Sequence, residues 1–312
     1  MTDEAQRRAV VRWIGSRAHP LATLDPAAPL TDLRPLVGAL GGAGSAVVGL
    51  GGSTRLAREL SLLKHRLLRL VVEDLGFRTL SLEADPATCE PLDRYVTTGS
   101  GDPRELLADA RPFWRTDEIV DVLTWMRGVA EPLRVVGVDP GIDLPLDNMA
   151  KIERLHADNL VRWRKSTGHK IVHWGGSGHI AVGTTRTAET PAVRRAGSYL
   201  RERLGAGYVA VGLTFSHGSA PYPVPPPSPV LVDSVLSDAA ATLGVAGFAL
   251  DLRDPSAPEP VREWLSAPAM ARLIGPRYDR ADDAAFHMAG GSLAEWFDVI
   301  VHWQEVTPIR SF

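Results

Sequence analysis

Residues 46–85, AVVGLGGSTRLARELSLLKHRLLRLVVEDLGFRTLSLEAD, constrain the fold more than any other stretch. They pass from an apolar run to a helical period and back to an apolar run. Residues 46–50 read as a short buried strand closed by Gly49, Gly51 and Gly52, with Ser53 or Thr54 offering a hydroxyl cap to the helix that follows. Leu56, Leu60, Leu63, Leu67, Leu70 and Val71 recur at helical spacing, and Arg55, Arg58, Glu59, Lys64 and His65 put charge on the first turns of the same helix. Gly76 ends it, and Thr79–Leu82 reads as a second buried strand that delivers Glu83 at its carboxyl end. This is a βαβ unit. It predicts an α/β fold with a mostly parallel central sheet flanked by helices, in which ligands bind along the carboxyl edge of the strands.

The rest of the chain continues the alternation. Residues 18–31 are too rich in proline for regular structure, and a short helix follows Asp32. After Glu83 the chain passes Cys89–Tyr95 and a polar loop. A helix is predicted over 117–129, a strand over 133–138 ending before Asp139, and a helix over 147–165. Strands follow at 170–174, opening into the turn GGSGHI, and at 208–215, with a helix over 192–204 between them. Ser216, His217 and Gly218 stand past the end of the latter strand. Residues 219–229, SAPYPVPPPSP, read as an extended polyproline-like loop. Strands at 247–252 and 297–303 complete the chain, and with no internal repeat residues 1–312 are expected to form one domain.

Composition narrows the partners. A formal net charge of −3 over 312 residues gives no basic surface for nucleic acid, and no window approaches the apolar length of a membrane span. The first residues, MTDEAQRRAVVRWIG, have an amphipathic pattern unlike a secretory leader, so a cytoplasmic location is expected. Cys89 is the single cysteine, which excludes an internal disulfide and a multi-cysteine zinc site, and no histidine pair has the spacing of a helical metal site. Neither a metal nor an organic cofactor is expected. The expected partner is a small-molecule substrate, and oligomeric state is left open.

Polar residues at the strand ends mark the candidate site. Arg55, Glu83, Asp139, His179, His217 and Asp251 each follow a predicted strand, and Glu305 follows the last. A lone Asp after a strand is usually a cap, which is the weightier reading for Asp139 and Asp251. Glu83 differs because a helix bearing Lys64 lies just upstream. His179 lies in a glycine-rich turn where backbone approaches a ligand closely. His19, His156 and His169 read as solvated or capping residues.

With these residues in view, the chain resembles the erythromycin esterase family. The blocks DLRPL, VVGLGGSTRLAREL, LLKHRLLRLVVEDLGFRTLSLEAD, WRTDEIVDVLTWMR, VVGVDP, IVHWGGSGHI, RAGSYLRERLGAGYVAVGLTF and FDVIVHWQEVTP follow that family's blocks in order over nearly the whole chain. The resemblance implies a mixed central sheet with a deep cleft and metal-independent hydrolysis of esters or lactones. There a histidine acts on water with the help of glutamates, an arginine and further histidines.

The departures from the family pattern fall on the chemistry. Gly52 stands where the family's glycine turn has its glutamate, and Arg55 where it has its histidine. Gly176 replaces one histidine of the later block, and His179 keeps the other. Glu83 matches the second-strand glutamate, Lys64 replaces the helix arginine, and Glu118 matches the glutamate of the WRTxE block. Only about 30 residues separate Asp139 from Lys170, so the family's helical cap over the cleft is expected to be reduced. A guanidinium cannot accept a proton at neutral pH, which leaves His179 as the expected acid/base with Glu83 as its partner or a substrate anchor. Arg55 and Lys64 then line an anion-friendly pocket, with Glu118, Asp139 and His217 as further substrate contacts. Two functions stay open: a repurposed enzyme acting on a natural-product-type small molecule by hydrolysis, acyl transfer, cyclisation or elimination, and a non-catalytic binder descended from an esterase.

Overall fold

The structure is a computed structural model that describes residues 4–140, 148–188, 190–275 and 278–312. Its strands are β1 (His19–Pro20), β2 (Val47–Gly52), β3 (Thr79–Leu82), β4 (Arg134–Gly137), β5 (Ile171–Gly176), β6 (Thr184–Thr185), β7 (Val193–Arg194), β8 (Tyr208–Ser219), β9 (Pro223–Val224), β10 (Gly247–Asp251), β11 (Ala271–Arg272), β12 (His287–Met288) and β13 (Val299–Val306). The central sheet has the order β1-β10-β13-β8-β2-β5-β3-β4, with β9 beside β8. From β13 to β4 every pairing is parallel, whereas β1, β10 and β9 pair antiparallel with their neighbours. The expected mixed, mostly parallel α/β sheet is what the chain forms.

Both faces of this sheet are covered, which is why β2 and β5 are buried at every position. The pleat divides their side chains between two cores. Val48, Leu50, Val172, Trp174, Val209 and Val211 join Leu60, Leu63 and Leu67 of the helix Arg58–Leu75 on one face. Val47, Ile171, Tyr208 and Ala210 join Leu160 of the helix Met149–Thr167 and Leu200 of the helix Ala196–Leu204 on the other.

Several local expectations are corrected. The helix after β2 starts at Arg58 rather than at Ser53 or Thr54, and Ala57 precedes it without a side-chain cap. The chain's own C-terminal segment takes the cap's place: the Arg58 N–H donates to the Thr307 carbonyl at 2.9 Å, and Glu59 accepts from the Thr307 N–H and hydroxyl at 2.6 Å each. Arg55 therefore stands in an irregular turn, not on the helix. Residues 86–98, for which no element is predicted, form the helix Pro86–Thr98, whose first turn tolerates a proline and whose Asp85 cap accepts from the Thr88 N–H.

The strand expected to stop at Phe215 runs on to Ser219. It pairs with β13 as far as Gly218, so His217 and Glu305 lie within strands and opposite each other. Part of the proline-rich loop pairs as β9 against the end of β8. The helix expected over 192–204 begins at Ala196, because Val193–Arg194 pairs with Thr184–Thr185. The helix expected over 147–165 is Met149–Thr167, and Asp147 lies outside the described residues. β10 runs antiparallel to β13, so Asp251 lies at the opposite edge of the sheet from the carboxyl ends of the parallel strands, paired with Arg253 at 2.9 Å. No helix among the described residues is long and apolar enough to cross a membrane.

Candidate active site

At the carboxyl ends of β2 and β5 the strands run Gly51–Gly52 beside Gly175–Gly176, and the chain turns away from the sheet on both. A cavity of about 260 Å³ opens there. Arg55, Gly176, His179 and Arg195 are among its lining residues, together with Phe113 and, from the segment after β11, Leu273–Gly275. That segment is tied down by the Ile274 N–H, which donates to the Ser53 carbonyl at 2.7 Å. The turn carrying Arg55 is thus clamped from both sides, by Ile274 and by the C-terminal segment.

Arg55 forms an ion pair with Glu83, which is 2% exposed, and its guanidinium lies 4.5 Å from the centre of the Phe113 ring. Burial and the neighbouring Arg111 pull Arg55 down to about 10, against the opposite pull of Glu153 and Asp139, so it stays charged at neutral pH. Glu83 also accepts from the Gly176 N–H at 3.2 Å. His173, fully buried on β5, brings Nε2 to 3.9 Å from Glu83 and places Nδ1 2.9 Å from the Ser81 hydroxyl. Burial, followed by its charged neighbours, holds His173 well below the usual histidine range.

Across Gly176 stands His179. A Cβ built on Gly176 would lie 3.5 Å from Arg55 Nη2 and 3.7 Å from His179 Cδ2, so the two groups flank one open position. His179 Nδ1 sits 2.8 Å from Glu153 Oε1. Glu153 has no exposed surface and also accepts from Arg195 Nη1 at 3.0 Å and from the Ala196 N–H at 2.9 Å. Burial alone would raise its carboxyl, but His179, Arg195 and His156 outweigh burial and hold it down to about 2. His156, one helical turn on from Glu153, has its ring centre 5.9 Å from that of His179 and is pushed down to about 4, first by burial and then by His179.

The cavity gathers Arg55 and His179 from the expected residues and places Glu83 directly behind Arg55. Lys64 lies deeper: its Nζ donates to the Gly175 carbonyl at 2.7 Å and sits 5.2 Å from the Trp174 ring centre, instead of pairing with Glu83. Burial and the charge of Arg55 lower Lys64 well below the usual lysine range. Asp139 pairs with Arg111 at 2.9 Å and acts on the site through its field at Arg55. Glu118 does not line the cavity; it accepts from the Arg310 N–H at 3.2 Å and lies 3.4 Å from Arg58 Nε. His217 also stands outside the lining, with Nδ1 3.2 Å from the Ser216 hydroxyl.

Glu153, Arg195, His156 and His173 were not singled out by sequence reasoning. The signal for the helical pair was available, since Glu153 and His156 are three residues apart and share a helix face. His156 is buried beside His179, which corrects its reading as a solvated or capping residue. Arg195 had no such signal, because only the packing of the helix Ala196–Leu204 against the helix Met149–Thr167 brings it to Glu153. Among the described residues no three His, Cys, Asp or Glu side chains converge as a metal site requires.

Known proteins resemble the chain in sequence and in fold. The family model described as erythromycin esterase matches residues 72–152 and 143–306. Erythromycin esterase type II of Escherichia coli is 28% identical over 133 residues, which are 43% of this chain and 31% of that protein, so the match spans about a third of the relative's length. Among solved structures, a Bacillus cereus protein superposes with a TM-score of 0.80 at 21% identity, covering 98% of this chain and 99% of its own. A succinoglycan biosynthesis protein gives 0.81 at 21% identity, covering 99% of each chain. A mutant erythromycin esterase in an open conformation gives 0.67 at 14% identity over 95% and 98% of the two chains. These structural likenesses speak to the fold.

Proposed function

The chain belongs to the erythromycin esterase family, and from that premise we propose that it is a metal-independent hydrolase-like enzyme that cleaves an ester or lactone of a natural-product-type small molecule. The observation that carries the proposal is the placement of His179 and Arg55 on either side of Gly176 in one cavity. In this reading His179 Nε2 takes a proton from water as the water oxygen attacks the carbonyl carbon. Negative charge gathers on the carbonyl oxygen, and the Arg55 guanidinium, charged at neutral pH, receives it. When the tetrahedral species collapses, the imidazolium returns its proton to the departing alkoxide. Glu83 aims Arg55. Lys64 holds the Gly175 carbonyl and so the end of β5.

A cavity of about 260 Å³ lies just under the roughly 300–1,000 Å³ usual for small-molecule sites, which suits an acyl group or a small ring rather than an entire macrolide. The test is hydrolysis of p-nitrophenyl acetate and a panel of short-chain lactones by the full chain. His179→Ala is expected to lower kcat by about 10²–10⁴-fold with little change in KM. Arg55→Ala is expected to lower kcat/KM, and EDTA to leave the rate unchanged. Unaltered turnover in His179→Ala would remove this reading, and activity lost to EDTA and restored by a divalent metal would remove its metal independence. Because Gly52 and Arg55 stand in the two positions of the family's water-activating pair, turnover of erythromycin is expected to be negligible. The same replacements favour a second reading, a binder without chemistry. Saturable binding of an intact lactone or ester by calorimetry, with no product formed on prolonged incubation, would establish it.

A further inference from the structure

We propose that Glu153 is the positioning residue of this site: it fixes the proton of neutral His179 on Nδ1, turns Nε2 toward the cavity as the acceptor, and balances the imidazolium once a proton is taken. The proposal rests on the reading of His179 as the base and adds the group that makes it one.

An ionised carboxylate only accepts hydrogen bonds, so the 2.8 Å contact between Glu153 Oε1 and His179 Nδ1 requires the imidazole proton to be on Nδ1. A neutral imidazole then has its lone pair on Nε2. The Cδ2 atom bonded to Nε2 is the part of the ring nearest the open position at Gly176, so this edge faces the space where a substrate carbonyl would lie between His179 and Arg55. Glu153 cannot turn away to release the ring. Arg195 Nη1 shares Oε1, the Ala196 N–H takes Oε2, and the carboxylate has no water-exposed surface. The Arg195 guanidinium is itself held by the Thr185 hydroxyl.

Oε1 contacts both His179 Nδ1 and the permanent cation of Arg195. Among the described residues, the charged and titratable groups around His179 are Glu153 and His156 from the helix Met149–Thr167, Arg195 just before the helix Ala196–Leu204, His173 on β5, and Arg55 with Glu83 across Gly176. Glu153 alone among them contacts a nitrogen of the ring.

The test is a nitrogen-15 NMR titration of His179 in the full chain, assigned by comparison with His179→Gln, beside pH–rate profiles with p-nitrophenyl acetate. In the unaltered protein the neutral ring is expected to carry its proton on Nδ1. Glu153→Gln is expected to lower the His179 titration midpoint by about one pH unit or more, since it removes an opposite charge at contact distance. It should move the acidic limb of kcat by the same amount and lower kcat at least about 10²-fold, with KM changed little. Glu153→Asp should recover part of both. An Nε2-protonated ring in the unaltered protein overturns the proposal with no variant needed. A titration midpoint unmoved by Glu153→Gln overturns it as well. Activity lost in His179→Ala but kept in Glu153→Gln would refute the positioning role and leave the base in place, whereas activity kept in His179→Ala would remove the base itself.

Discussion

Three glycines decide what the site holds. At Gly175 a Cβ would collide with Glu83 Oε1, so any side chain there would displace the carboxylate that aims Arg55. At Gly52 a Cβ would lie 2.8 Å from the Thr54 carbonyl oxygen and 3.3 Å from Lys64 Nζ, so the turn leaves no room for a side chain there. Gly52→Glu is therefore expected to lower stability by roughly 1–3 kcal/mol without creating a base, measured by thermal melts and the ester assay. Gly176 is different, because its nearest neighbours leave ordinary van der Waals room for a methyl group. Gly176→Ala should keep the melting temperature within about 2 °C and still raise KM several-fold, since the methyl fills the space between Arg55 and His179. Unchanged kinetics in Gly176→Ala would place the reacting group elsewhere. Arg55→Ala leaves Glu83 buried beside a neutral histidine and is expected to cost about 3–5 kcal/mol, with Arg55→Lys recovering part of it.

At the level of elements, the turn that carries Arg55 depends on segments far away in sequence. The C-terminal segment supplies the Thr307 carbonyl to the Arg58 N–H, while Glu59, only 6% exposed, accepts twice from Thr307 and Glu118 accepts from Arg310. Glu59→Ala strips the Thr307 donors of their partner and is expected to cost about 1–3 kcal/mol. Because the same helix start sets Arg55, kcat/KM should fall alongside stability. Unaltered kinetics in Glu59→Ala at a temperature where the variant is folded would show that the turn holds its shape without the C-terminal segment.

Over the whole molecule, the buried histidines set the response to acid. His65, His156 and His302 are each held down to about 4, chiefly by burial, from an ordinary value of 6.5. Between pH 6.5 and about 4 the unfolded chain binds protons at these positions that the folded chain refuses, so stability is full above 6.5 and falls as pH drops through that window. Glu153, held down to about 2 from 4.5, loses its contribution in the next window below. The melting temperature is thus expected to fall steadily from pH 7 to pH 4, and His302→Gln, which removes one such histidine, should flatten the slope. A flat profile over that range would contradict the burial of these rings. Read alone, the sequence determined the alternation of strand and helix, the parallel sheet, and the presence of Glu83 and His179 at strand ends, because apolar period and glycine punctuation are local properties of the chain. It did not determine that β10 runs antiparallel and takes Asp251 to the far edge, since strand direction depends on how distant elements pack. Nor did it pair His179 with Glu153 rather than Glu83. That choice was made by tertiary structure alone, because a buried carboxylate finds its donors across the packing of a helix on the sheet, at contacts no spacing along the chain records.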